Sequence, residues 1–121
     1  MAKANLLIED YAGVLVVTFT DSSILDTGVI EQIGKDLYQL TDEQCRQKLI
    51  LDFSNVKFLS SQALGILLML HKKAAAIKGE VVLCALRPEL KKIFTITSLD
   101  KVFKFFPDDV GALASFGVRL Q

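Results

Sequence analysis

Two adjacent hydroxyls, Ser60 and Ser61, stand between a strand-like apolar run and a helix-like one in the stretch ILDFSNVKFLSSQALG, residues 50–65. A hydroxyl at a strand-to-helix turn lies beside backbone N–H groups that have no partner within the helix, and it faces whatever docks there. The first chemistry this suggests is acceptance of a phosphoryl group at an exposed serine. The competing role is structural, because serine is among the preferred residues for capping a helix start. Asp52, which ends the strand-like run, invites a second reading. Together with Glu9 and Asp10, at the end of an earlier run, it resembles the acidic set with which response-regulator receivers hold magnesium and accept phosphate. Chain order speaks against that set. A receiver places a helix directly after its acid-bearing first strand, whereas here only residues 11–13 separate Asp10 from the next apolar run at Val14. Asp52 is expected instead to bond backbone N–H groups in the turn Asp52-Phe53-Ser54-Asn55.

Other site chemistry is thin. The single histidine, His71, follows an apolar helical run and precedes two lysines, so it has no metal partner at ligand spacing and no triad to join. Cys45 and Cys84 stand apart, without a CxxC, and Cys84 lies in an apolar run as a small core residue would. Glycine-rich phosphate loops and nucleophile elbows are absent from the 121 residues. The expectation is a protein that is not an enzyme and carries no cofactor or metal.

Fourteen basic residues balance fourteen acidic ones, so no net field draws the chain toward nucleic acid or anionic lipid. The longest apolar run, residues 63–70, ends at His71-Lys72-Lys73, far short of the roughly 20 residues a membrane span needs. The N-terminus turns polar within nine residues and does not read as a secretory signal. A reduced, cytoplasmic setting without membrane or nucleic-acid partners follows as the expectation.

The elements that would position the serine pair are legible from periodicity. Residues 6–8 and 14–19 are strand-like and close enough to form a hairpin. After a polar loop at 21–23, Asp26 or Thr27 caps a helix running to about Leu40, with Val29, Ile30, Ile33, Leu37 and Leu40 on one face. Leu49-Ile50-Leu51 is a strand covered on both faces. A helix spans about 61–78, with Gly79 as its stop. Residues 81–86 form another apolar strand, and Pro88 opens a third helix with Leu90, Ile93 and Phe94 inward. A last strand covers 102–106, and Pro107 starts a fourth helix with Val110, Leu113 and Phe116 as its apolar stripe. The order β-β-α-β-α-β-α-β-α predicts one α/β domain over residues 1–121: a mixed, mostly parallel sheet of about five strands, an antiparallel N-terminal hairpin, and about four helices.

With that order, the chain resembles the STAS domain family, and within it the small, free-standing anti-sigma factor antagonists of bacteria. The family's third strand and following turn are matched here by Asp52, Ser54, Val56, Phe58, Leu64 and Gly65 of LILDFSNVKFLSSQALG, and TSLDKVFKFFPD resembles its approach to the last strand. The family phosphoacceptor, the first serine of a D-S-S/T-G core, aligns with Ser61. The acid before it is Ser60 in this chain, and Gln62 and Ala63 replace the usual Ser/Thr and Gly. A second family acid aligns with Asp26. The resemblance implies Ser61 as phosphoacceptor and Asp26, Thr27, Ser60 and Gln62 as contact surface. It also implies a cycle. Unmodified antagonist binds an anti-sigma factor of the histidine-kinase-like ATPase type and releases the sigma factor, that kinase phosphorylates the serine, and a serine phosphatase resets it. ATP and magnesium then belong to the partner. The alternative within the same family is a constitutive, unphosphorylated adaptor or scaffold subunit of a signalling or lipid-transport complex. Oligomeric state is left open.

Overall fold

The computed structural model describes residues 6–118. The hairpin comes first. β1 (Leu6–Tyr11) and β2 (Val14–Phe19) pair antiparallel around Ala12-Gly13. Both turn residues have positive φ, 55° and 92°, the geometry that matches the right-handed twist of the flanking strands. The Gly13 N–H donates to the Asp10 carboxylate at 2.9 Å, which closes the turn.

β2 then continues into a parallel array with β4 (Lys48–Asp52), β6 (Glu80–Cys84) and β7 (Lys104–Phe106), giving the order β1-β2-β4-β6-β7. Parallel neighbours require crossovers. These are α1 (Thr27–Asp42), α2 (Ser61–Ala76) and α3 (Pro88–Ile96), while α4 (Asp109–Ser115) follows the last strand. The expected five-stranded mixed sheet with four helices is thus present.

The sheet is covered on both faces, which explains why its strands read as unbroken apolar runs. Leu15, Val17, Leu49, Leu51, Val81 and Leu83 face the larger core under α1, α2 and α3. Val14, Val16, Ile50, Val82 and Cys84 face the smaller one, where α4 contributes Ala112 and Leu113. Desolvation there pushes the Cys84 thiol up to about 12, so it stays protonated and inert. α1 crosses α2 closely at Gly34, where an added Cβ would come within 3.0 Å of Ile66.

Several expected boundaries move. The second helix stops at Ala76, and the left-handed residue beyond it is Lys78 (φ 61°), not Gly79. Gly79 is required for another reason: a Cβ there would sit 2.5 Å from the Gln47 carbonyl oxygen. β6 ends at Cys84 because Ala85 turns left-handed (φ 61°) and gives its N–H to Phe106. Residues 99–101 form a short 3-10 turn, and β7 begins only at Lys104. Phe103 leaves the strand direction to pack edge-on against Phe94 in the core. Pro107 precedes the fourth helix instead of starting it, since Asp108 is the cap, accepting from the Gly111 N–H. That shift turns Val110 outward, half exposed, while Ala112 and Leu113 take the inner face.

The polar loop expected at 21–23 holds a structural element of its own. β3 (Ser23–Ile24) pairs parallel with β5 (Phe58–Leu59) in a separate two-stranded ladder.

Candidate functional site

That small ladder is what assembles the site. The Lys57 and Phe58 N–H groups both donate to the Ser22 carbonyl, at 2.7 and 3.1 Å, and the Ser60 N–H donates to the Ile24 carbonyl at 3.2 Å. The loop leading into α1 and the loop leading into α2 are therefore stitched side by side. Asp26 and Ser61 each lie two residues beyond the last paired position, Ile24 opposite Leu59, so the two helices start from neighbouring strands.

Each start is capped in its own way. Asp26 is the N-cap of α1, its carboxylate accepting from the Val29 N–H at 3.0 Å. Ser60 is the N-cap of α2, its hydroxyl accepting from the Ala63 N–H at 3.3 Å. The two serines thereby divide the roles between them. Ser60 is half-buried and engaged as the cap. Ser61, the first residue of α2, is exposed, and its hydroxyl makes no hydrogen bond to another described residue. Gln62, Thr27 and Asp26 are exposed on the same end of the molecule.

Beneath this surface Phe19, Ile24, Ile33, Phe53, Ala63 and Leu67 close over a crevice of about 10 Å³. A space of that size holds at most one water, so it is packing and not a substrate pocket. No group of three or more His, Cys, Asp or Glu residues able to hold a metal occurs among the described residues.

The acids of the receiver-like reading are kept apart. Asp52 pairs with Thr18 near the end of β2, whereas Asp10 pairs with Leu15 near its beginning. The Asp52 carboxylate turns onto the Ser54 N–H at 2.8 Å, as a turn-forming aspartate would. Asp10 instead holds Arg46 at 2.7 Å, and that guanidinium, with the Gly13 N–H, keeps its carboxyl below the usual carboxylate range. His71 is half-buried, edge-on to Phe103 at 5.4 Å, and ten residues along α2 from Ser61, about 15 Å by helical rise.

What the residue pattern did not announce is the apolar rim. Leu25 is 53% exposed and Phe58 57%. A furrow of about 440 Å³ runs past them, bordered by Lys57, Arg87 and Glu89, and meets a second of about 390 Å³ over Leu59 and Ile93. Ser61 lies in the wall of the second. In the two short strands Ile24 is buried with Leu25 out, and Phe58 is exposed with Leu59 turned in, an alternation too short to read from the sequence.

Comparison with known proteins agrees with this architecture. The STAS domain family model matches residues 5–112. BtrV of Bordetella bronchiseptica, named as a candidate anti-sigma factor antagonist, is 25% identical over 116 residues, covering 96% of this chain and 97% of its own. The anti-sigma F factor antagonist of Paenibacillus polymyxa is 23% identical over 111 residues, covering 92% and 93%. Among solved structures, an anti-sigma-factor antagonist (STAS) domain protein of Planctomyces limnophilus superposes with a TM-score of 0.82 at 22% identity, covering 94% of this chain and 98% of that one. SpoIIAA of Bacillus, solved in its phosphorylated form, gives 0.68 at 18% identity over 86% and 93%. With its family model matched across nearly the whole length and its sheet order and capped helix starts in place, the chain belongs to the STAS domain family.

Proposed function

We propose that this protein is an anti-sigma factor antagonist whose binding to its partner is switched off by phosphorylation of Ser61. The observation that carries the reading is the division of labour in the serine pair: Ser60 caps α2, and the Ser61 hydroxyl stands free and exposed beside it. Relatives that span nearly the same length carry the antagonist name, and one fold neighbour, SpoIIAA, exists in a phosphorylated form.

The physics of the switch is local. A phosphoserine adds about −1.5 to −2 charges at neutral pH. At the first position of α2 the free N–H groups and the helix dipole stabilise that charge by about 0.3–1 kcal/mol, so the fold tolerates it. A partner seated over the same turn has to desolvate the dianion, and uncompensated buried charge costs several kcal/mol. About 2.7 kcal/mol is enough to weaken binding a hundredfold. No conformational change is needed.

In this reading Ser61 is a substrate and the protein is not itself a catalyst. The partner is an anti-sigma factor of the histidine-kinase-like ATPase type, which supplies ATP and magnesium, and a serine phosphatase restores the hydroxyl. Asp26, Thr27, Ser60 and Gln62 form the surrounding contact surface, in a cytoplasmic setting. Ser60 stands where the family has an acid. As a neutral cap it preserves the hydrogen bond to Ala63 and removes one negative charge beside Ser61.

Incubation with the anti-sigma kinase and ATP, followed by peptide mass spectrometry, tests the site. Phosphate on Ser61 and loss of binding by the modified form are expected; phosphate only at other residues overturns the assignment. Equal binding of the kinase by wild type and Ser61→Asp would instead favour a constitutive adaptor.

A further inference from the structure

The furrow between α2 and α3 carries an inference that rests on the antagonist reading and says how the partner is held. Its walls are two helix faces. Ser61, Leu64, Gly65 and Leu68 line it from α2, and Ile93 and Thr97 line it from the α3 side. Positions spaced by three, four and seven residues form one stripe on a helix, so the lined length is two turns, about 10 Å.

Gly65 is the unexplained residue in that stripe. A glycine inside a helix weakens it, because the unfolded chain loses more freedom and the helix exposes more backbone. At two other glycines internal packing accounts for the absent side chain: Cβ atoms at Gly34 and Gly79 would strike Ile66 and Gln47. A Cβ at Gly65 would meet nothing within 4 Å, and the residue is exposed in the furrow. Nothing within this chain requires it to be bare. A bare backbone in mid-helix lets a second helix approach closely.

Charge adds a second constraint. Lys57 and Arg87 border the adjoining lobe against one acid, Glu89, and neither cation has an ion-pair partner among the described residues. A chain with no net charge therefore sets two unpaired cations against one acid at the edge of an apolar floor.

We infer that this furrow seats an amphipathic helix of the anti-sigma partner, packed across Gly65, with carboxylates along the edge that faces Lys57 and Arg87. The bound helix crosses the mouth of the Ser61 turn. A phosphate there meets acidic side chains as well as a desolvated interface, which sharpens the switch.

Calorimetry and stopped-flow binding with the intact anti-sigma kinase test the inference. Gly65→Ala is expected to melt a few degrees higher than wild type, since alanine favours the helix, while binding the kinase about tenfold more weakly. The double variant Lys57→Glu/Arg87→Glu should associate about tenfold more slowly at low salt, with the difference shrinking as salt rises. Hydrogen exchange on the complex should protect one continuous partner segment whose apolar residues recur every three and four positions. If wild type binds and Ser61 phosphate releases it, yet Gly65→Ala and the charge reversal bind as wild type does, the furrow is overturned and the switch stands. Protection of an extended strand, or a furrow filled by a second copy of this chain, also overturns it. If the kinase fails to bind wild type, the antagonist reading falls and the inference falls with it.

Discussion

At the end of the sheet where the parallel strands begin, Asp10 holds Arg46 at 2.7 Å, Asp42 holds Lys73 at 2.9 Å, and Glu80 holds Lys104 at 3.2 Å. The Gln47 side chain donates to the Ile77 carbonyl there, and its own carbonyl accepts from the Glu80 N–H, both at 2.7 Å. At the end where the strands finish, side chains bond backbone instead of opposite charges: Asp26, Asp52 and Ser60 in caps and turns, and the Asn55 amide donating to the Phe19 carbonyl. All three ion pairs between described residues belong to the first end, whereas Lys57 and Arg87 at the second have none. The second end also exposes Leu25 and Phe58. Lys48 and Lys78 at the first end are unpaired as well, so what sets the second end apart is that its unpaired cations border exposed apolar surface. Exposed ion pairs contribute little stability, so the contrast reflects what each end leaves unmatched more than how strongly it is held.

This contrast can be broken by substitution, and the largest effect belongs to the self-contained end. Gly79→Ala would force a Cβ onto Gln47 backbone, which cannot step aside as a flexible side chain can. A loss of about 3 kcal/mol, or roughly 10 °C in thermal midpoint, is expected in a calorimetric scan. At the other end the same scan should barely notice Ser61→Asp, because a carboxylate at the first helical position suits the dipole. Kinase binding measured by calorimetry should nevertheless fall about a hundredfold, or about 2.7 kcal/mol.

Phe58→Ser probes the apolar rim. With the ring 57% exposed, stability should change by no more than about 0.5 kcal/mol. Binding should weaken about tenfold, since exposed aromatic anchors dominate contact surfaces. A Phe58 variant that lowers the thermal midpoint markedly yet binds as wild type does would erase the distinction between the two ends.

The smallest effect is electrostatic. Arg46 and the Gly13 N–H lower the Asp10 carboxyl below its unfolded value of about 3.9. A depressed folded pKa stabilises the fold above the unfolded value, and that contribution is lost as pH falls through the folded one. Acid unfolding of wild type and Asp10→Asn should differ slightly near neutrality and converge once the pH has fallen through the lowered folded value, by less in high salt.

Local sequence carried the alternation of strands and helices, the Asp26 cap, the turn role of Asp52 and the serine pair. All of these follow from periodicity or from a side chain bonding backbone three residues away or fewer. The β3–β5 ladder was not legible, because two-residue strands have no period to detect and their pairing joins Ser23 to Phe58 across 35 positions. The need for glycine at position 79 was likewise hidden, since it comes from Gln47, a residue on another strand's approach.

The sequence alone therefore determined which segments fold as helices and strands and which hydroxyls stand at the helix start, because short-range hydrogen bonding and burial patterns are written in neighbouring residues. Tertiary structure decided that the loop of Asp26 lies beside the loop of Ser61, and that Gly65 opens onto a furrow. Those outcomes depend on segments far apart in the chain meeting in space, which no local pattern encodes.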